Sequence, residues 1–256
     1  MRERTVERVI VWRTGLIEVK TKPITWSRIR VETVGSPVLV LPAGSLYPVA
    51  KRLMDVVVAS LMLIVLLPVL ALIALAIRLD SPGPAIFRQQ RVGLLGQDFT
   101  MFKFRTMYAG CDQGVHRLFA KRYVNGHPAG PLGGSNGQAV YKVNGDNRIT
   151  PLGKWLRKTS LDELPQLINV LRGDMSLVGP RPVVRYEVEE YTPYQMRRLN
   201  VLPGMTGLPQ ISGRSGLTFD KIVRLDLEYI GKRSIGLDLQ ILLKTIPAVI
   251  AAKATS

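Results

Sequence analysis

The chain has almost no cysteine: Cys111 is the only one among 256 residues. An internal disulfide and a cysteine-based metal site are therefore excluded, and the usage fits a reducing, cytosol-facing domain. Histidine is nearly as scarce. His116 and His127 lie beside or inside the Gly-, Pro-, Asn- and Ser-rich stretch 123–138, which reads as a loop, and no Ser–His–Asp system or zinc site suggests itself. A Walker-type G-x-x-x-x-G-K-[ST] loop and a G-x-G-x-x-G turn are both missing, which argues against an ordinary nucleotide hydrolase or dinucleotide binder. Helix-turn-helix, zinc-finger and RNP signatures are missing too, so nucleic acid is not an expected partner. Met1 is followed by charged, alternating residues rather than a short apolar core with a cleavage site, and no cleavable signal peptide is expected. Acidic residues are in short supply: 35 Lys/Arg against 19 Asp/Glu leave a formal charge of +16. That balance suits anionic lipid headgroups or polyphosphate substrates.

What the chain does have is a long apolar run. Residues 56–77 are apolar apart from Ser60, with Pro68 near their middle, Lys51 and Arg52 just before and Arg78 just after. About 20 such residues suffice to cross a hydrocarbon core as a straight helix. The charge pattern complicates that reading. About ten Lys/Arg against five Asp/Glu precede the run, and Lys and Arg tend to stay cytoplasmic, so a simple crossing sends one basic flank to the far side. Pro68 lacks an N–H and clashes with the preceding turn, so it kinks or breaks a helix there and leaves two halves of about 15 Å, half a bilayer each. A helix–break–helix entering and leaving one face satisfies both flanks. On charge and proline alone, a kinked spanning helix is an equal alternative. Both readings give a membrane-bound protein with most of its mass on one side.

Residues 1–48 alternate apolar and polar, as in Arg8-Val9-Ile10-Val11-Trp12, and read as short strands of a small extension. Asp80-Ser81-Pro82-Gly83-Pro84 is a turn. Residues 85–91 and 98–105, separated by Gly93 and Gly96, read as a hairpin. Lys103 and Arg105 are two apart, so they share a face and can project into a phosphate site. Helices are expected over 152–158, 162–171, 187–199 (amphipathic), 219–230 and 237–251. The last carries Leu239, Leu242, Leu243 and Ile246 on one face, which suits a membrane surface or an ordinary core. Val178-Gly179-Pro180-Arg181-Pro182 is a rigid turn presenting one arginine, and Ser212-Gly213-Arg214 presents another.

The densest chemistry lies in Thr159-Ser160-Leu161-Asp162-Glu163-Leu164-Pro165-Gln166. Proline is tolerated in the first turn of a helix, where N–H groups lack partners anyway, so Asp162 is the preferred N-cap. The apolar face then follows as Leu164, Leu167, Ile168 and Leu171. Two adjacent carboxylates at a helix N-terminus are favoured as anions by roughly 0.3–1 kcal/mol. An ionised carboxylate can hold Mg²⁺ or attack phosphorus. The structural alternative is an acidic cap worth about 1 kcal/mol. Arg148, Arg157 and Lys158 precede the pair, and Arg181 and Arg214 follow it. Arginine's fork suits bidentate phosphate contacts, so these residues point to phosphate recognition beside a carboxylate-held Mg²⁺.

Motifs spread along the chain resemble one family, in order. They are Lys51-Arg52-Leu53-Met54-Asp55, Ser81-Pro82-Gly83-Pro84, Phe87-Arg88-Gln89, Arg91-Val92-Gly93, Lys103-Phe104-Arg105-Thr106-Met107, Asp146-Asn147-Arg148-Ile149-Thr150, the stretch 156–166, residues 175–182 and residues 203–214. From about residue 49 onward the chain resembles the bacterial sugar transferases, the monotopic polyprenyl-phosphate phosphoglycosyl transferases. The resemblance implies transfer of a sugar 1-phosphate from a UDP-sugar to a polyprenyl (undecaprenyl) phosphate at the cytoplasmic membrane face, with release of UMP, as the first membrane step of glycan assembly. It implies Asp162 as nucleophile of a covalent phospho-sugar intermediate, with Glu163 assisting and both residues positioning Mg²⁺. Lys103, Arg105, Arg157, Arg181 and Arg214 are the candidates for diphosphate, nucleotide or lipid-phosphate contacts. The first 48 residues and the 123–138 loop depart from the forms of the family that the motifs match.

The expected architecture is α+β: an extension (1–48), a re-entrant membrane helix broken at Pro68 (49–80), and a mostly helical cytosolic catalytic domain (81–256) with a short β-hairpin and surface amphipathic helices. Its expected partners are a UDP-sugar, polyprenyl phosphate and phospholipid headgroups. Oligomeric state is open, a homodimer included. Two other readings compete. A membrane glycosyltransferase would release UDP instead of UMP, and a non-catalytic basic scaffold would tolerate loss of Asp162 and Glu163.

Overall fold

The computed structural model describes residues 46–111, 114–125, 147–213 and 216–254, all within the compact unit Leu39–Ser256. The strands expected before residue 46, most of the 123–138 loop with His127, and Arg214 lie outside the described residues.

Helix α1 (Tyr47–Asp80) takes up the apolar run. Pro48 stands in its first turn, where a missing N–H leaves nothing unpaired, and it stops at Ser81, held extended ahead of Pro82. The break expected at Pro68 is absent: the backbone stays helical from end to end. An interior proline removes one hydrogen bond and crowds one carbonyl, and bending can absorb that without leaving helical dihedrals. Asp55, Ala59, Ile73 and Ile77 are its buried residues, whereas Leu61, Ile64, Val65, Leu67 and Leu72 between them are exposed. Both ends are tied to the same folded unit. Arg52 donates to the carbonyls of Val170 (2.6 Å) and Leu171 (2.8 Å), and Lys51 meets Asp238 at 3.0 Å. At the other end the Arg105 guanidinium donates to the carbonyls of Ile77, Ser81 and Pro82.

Strands β1 (Ile86–Val92) and β2 (Asp98–Phe104) form the expected antiparallel hairpin, with Ile86 opposite Phe104 and Val92 opposite Asp98. After α2 (Gly114–Val124), α3 (Pro151–Thr159) starts on the Thr150 hydroxyl, which accepts from the Gly153 N–H, and stops at Ser160 in the left-handed conformation. Helix α4 (Gln166–Arg172) ends at Gly173, whose φ of 85° favours glycine. Next come β3 (Ser176–Val178), α5 (Arg185–Val188) and α6 (Pro193–Met196). The amphipathic helix expected over 187–199 is therefore not one piece. Thr192 and Gln195 form a capping box that opens α6 afresh, and Pro193 has no N–H to continue the preceding turn.

Strand β4 (Gly204–Thr206) pairs in parallel with β3. Gly179 and Gly204 touch backbone to backbone with no room for a Cβ on either, which seats the Gly179–Pro182 turn directly beyond β3. Helices α7 (Leu208–Ser212), α8 (Phe219–Lys232) and α9 (Ile235–Ala254) complete the chain. The main core joins Ala59, Met101, Leu167, Val170, Val178, Tyr229 and Ile241, which puts α4 at its centre. Helix α9 divides its faces: Asp238 and Ile241 are fully buried and Leu242 packs on the core, while Leu239, Leu243 and Ile246 are exposed. The fold is α+β and mostly helical.

Candidate active site

Asp162 and Glu163 lie in a single 3-10 turn, Leu161–Glu163, between the left-handed Ser160 and α4. Asp162 is therefore not a helix cap. Leu164 and Pro165 follow in helical conformation, and α4 begins at Gln166, so the missing N–H of Pro165 falls where a helix has no partner for it. The reason is Ser160: its positive φ ends α3 and turns the chain so sharply that the dyad starts a tight turn instead of capping a helix.

The two carboxylates meet different surroundings. Glu163 Oε1 accepts from Lys103 Nζ at 2.8 Å, and Arg181 Nη2 stands 3.8 Å from the same oxygen. Burial alone would raise the Glu163 carboxyl, but the charges of Lys103 and Arg181 outweigh it and bring it down to about 2. Lys103 is pulled below the ordinary lysine range by burial, against the opposing charge of Glu163. Asp162 goes the other way. Burial lifts it above the usual carboxylate range, Lys103 pulls it back, Glu163 pushes it further up, and Arg157 and Arg181 pull against that. No side chain hydrogen-bonds or ion-pairs with its carboxylate among the described residues.

Lys103 is thus brought to the dyad by β2 and Arg181 by the turn after β3. Arg157 comes from α3, its Nε donating to the Thr106 hydroxyl at 2.8 Å. Arg105 is not brought there. The strand ends at Phe104, and the Arg105 guanidinium donates instead to the Ile77 carbonyl in the last turn of α1, which also accepts from the Ser81 N–H, and to the Ser81 and Pro82 carbonyls of the turn that follows. Two residues missed in the sequence support the cluster. Arg91, buried, donates to the Pro182 carbonyl at 3.2 Å and to Gln89 Oε1 at 2.7 and 3.1 Å, and so braces the turn that carries Arg181. The period of two in Gln89 and Arg91 was the available signal. Asn169 is the other, and nothing in the sequence separates it from a surface polar residue of α4.

Among the described residues no group of three or more His, Cys, Asp and Glu gathers as a metal cage. Mg²⁺ is commonly held by one or two carboxylates, with water and substrate phosphate completing its shell, and the donor set of Asp162 and Glu163 fits that pattern.

A compact α+β unit with a long, exposed apolar helix is compatible with membrane association, and it carries a carboxylate pair among cations. Residues 46–252 match the bacterial sugar transferase family, and the chain belongs to that family. It is similar to the galactosyl transferase CpsE of Streptococcus agalactiae, 44% identical over 203 residues, which cover 79% of this chain and 42% of CpsE. It is also similar to the exopolysaccharide production protein ExoY of Rhizobium meliloti, 40% identical over 210 residues covering 82% of this chain and 88% of ExoY. A third relative is the UDP-glucose:undecaprenyl-phosphate glucose-1-phosphate transferase of Caulobacter vibrioides, 41% identical over 221 residues covering 82% and 74%. The chain thus spans less than half of CpsE and most of ExoY.

Proposed function

We propose that this chain transfers a sugar 1-phosphate from a UDP-sugar to polyprenyl phosphate, as the first membrane step of a surface glycan. The observation that carries the reading is the split within the dyad. Glu163 is clamped by Lys103 and Arg181, whereas Asp162 is buried, unpaired and more basic than an ordinary aspartate. A more basic carboxylate is the better nucleophile, and two neighbouring acids pushed apart in this way take different roles.

In the proposed sequence an Asp162 oxygen attacks the phosphorus next to the sugar. The bond from that phosphorus to the bridging oxygen breaks, and UMP leaves with the oxygen. An oxygen of polyprenyl phosphate then attacks the same phosphorus, which restores the Asp162 carboxylate and yields polyprenyl diphosphate-sugar. Lys103, Arg157 and Arg181 offset the charge that grows on the transferring group. Mg²⁺, held by Asp162 and Glu163, supplies further charge neutralisation when bound. The relatives' names support both substrates, one of them reading UDP-glucose:undecaprenyl-phosphate glucose-1-phosphate transferase.

The exposed middle of α1 would enter the membrane. The attachment of both ends to one folded unit, through Arg52 and Arg105, supports a helix that enters and returns on the cytoplasmic face rather than crossing. A straight helix of 34 residues would be about 50 Å long, so re-entry through this unbroken helix requires a bend, for which Pro68 is the candidate point. The assay is the identity of the released nucleotide, with polyprenyl phosphate, Mg²⁺ and a panel of UDP-sugars. UMP is expected, and UDP would overturn the phosphoryl-transfer reading. Labelling of both flanks of α1 tests the topology, and opposite-side accessibility would rule out re-entry.

A further inference from the structure

The geometry points to Asn169 as a positioning residue that sets Lys103 against Glu163, an inference that rests on the phosphoryl-transfer reading only for its effect on turnover. Asn169 is fully buried at the centre of α4, six residues beyond Glu163. Its amide does for β2 what a neighbouring strand would do. Oδ1 accepts from the Phe102 N–H at 3.0 Å, and Nδ2 donates to the Thr100 carbonyl at 2.7 Å. The partners fix the amide's orientation, since an N–H requires the oxygen and a carbonyl requires the nitrogen. The second Nδ2 hydrogen goes to Asp174 Oδ2 at 3.1 Å, and the Asn169 carbonyl accepts from the N–H groups of Asp174 and Met175.

This arrangement fixes one helix on the edge of one strand at a single register. Lys103 is the next residue after Phe102, and side chains alternate along a strand, so a slip by one residue would turn Lys103 to the other face of the sheet. Van der Waals packing of Met101 and Leu167 brings β2 and α4 together but does not select among sliding positions. The Asn169 amide does. A carboxamide two hydrogen bonds deep in a core has no solubility role, and its bonds all lead to the backbone that carries Lys103 or to the turn leaving α4.

The test is a double-mutant cycle read by thermal stability of the full chain in detergent. Lys103→Met, Glu163→Gln and the pair are measured in the wild-type, Asn169→Ala and Asn169→Asp backgrounds. In the wild type the double variant should lower Tm by less than the sum of the two single shifts. In both Asn169 backgrounds the shifts should become additive. Asn169→Asp keeps an acceptor for the Phe102 N–H and loses both donors, which keeps the test alive if Asn169→Ala fails to fold. Asp174→Ala leaves the clamp on β2 and should preserve the coupling. The same shortfall in the Asn169 backgrounds, or none in the wild type, would overturn the inference. For turnover, Asn169→Asp should lower kcat about 10–100-fold with little change in KM, while Val223→Ala in the α8 core leaves kcat unchanged. Because the cycle reads stability, an absence of turnover on every UDP-sugar would count against the functional reading alone.

Discussion

Lys103 meets Glu163 at 2.8 Å beside α4, and Arg198 meets Asp226 at 2.6 Å beside α8. The second pair is the deeper one, with side chains 3% and 2% exposed against 15% and 28% for the first. Arg198 also donates to the Tyr191 hydroxyl, and the rings of Tyr191 and Phe219 lie 5.9 Å from its guanidinium carbon. There Arg198 is held by Asp226 and the Tyr191 hydroxyl, with the charge of buried Glu187 also acting on it, and aromatic rings flank it. At the dyad, Lys103 and Arg181 are both turned on Glu163, and the neighbouring Asp162 carboxylate has no hydrogen-bond or ion-pair partner among the described side chains. Burial of charge therefore does not mark chemistry in this protein. What separates the proposed site from the structural pair is the Asp162 carboxylate, left without a side-chain partner among the described residues beside a clamped Glu163.

Removing one acid from each cluster should separate the two most strongly. Asp162→Asn should lower turnover by about 10³-fold or more while Tm stays near that of the wild type, measured by nucleotide release and thermal melting. Asp226→Ala should do the reverse. It strands a buried guanidinium, which costs about 3–5 kcal/mol of stability in denaturant titration, with kcat held below the new melting range.

The clusters also separate by pH. Glu163 is held down to about 2, below its ordinary 4.5, so its contribution to stability is present above pH 4.5 and is lost as pH falls from there toward 2. Asp226 is pushed up from 3.8 to about 6, by burial first and against the pull of Arg198. Its native form binds the proton more tightly than the unfolded chain does, so stability rises as pH falls from 6 to 3.8. Each limb is on the order of 3 kcal/mol. Glu163→Gln should flatten the acid-side loss and Asp226→Asn the opposing limb, both read by melting against pH. The smallest effect is expected at half-exposed Arg181. Its replacement by alanine should reduce kcat/KM about 10–100-fold and leave Tm unchanged, since its tie to Glu163 is long and solvated.

Much of this was legible in the sequence, for reasons that differ by element. The hairpin showed in its alternation and bounding glycines, and α3 and α8 were expected close to where they lie, though their Thr150 and Thr218 caps were not read. The dyad showed as adjacent acids before a proline, and Arg181 as an arginine on a Gly/Pro turn. The failures have a common cause, which is that local spacing does not report long-range partners. Lys103 and Arg105 sit two apart, yet the carbonyls of Ile77, Ser81 and Pro82, at the end of α1 and the turn after it, take up Arg105. Asp162 looked like a cap until the left-handed Ser160 placed it in a 3-10 turn. The 187–199 period was real but was cut by the Thr192–Gln195 capping box. Asn169 gave no signal because its partners are backbone atoms of a strand 67 and 69 residues away in the chain.

In the proposed mechanism the unpaired Asp162 carboxylate forms a bond to phosphorus. That step is tested most directly by incubating the protein in membranes with Mg²⁺ and a UDP-sugar labelled at the phosphorus next to the sugar, without polyprenyl phosphate. Label is expected on the protein, sensitive to hydroxylamine as an acyl phosphate is, and released on adding polyprenyl phosphate. Asp162→Asn should take up none. Turnover by a wild-type protein that never carries label, or equal labelling of the Asp162→Asn variant, would contradict it.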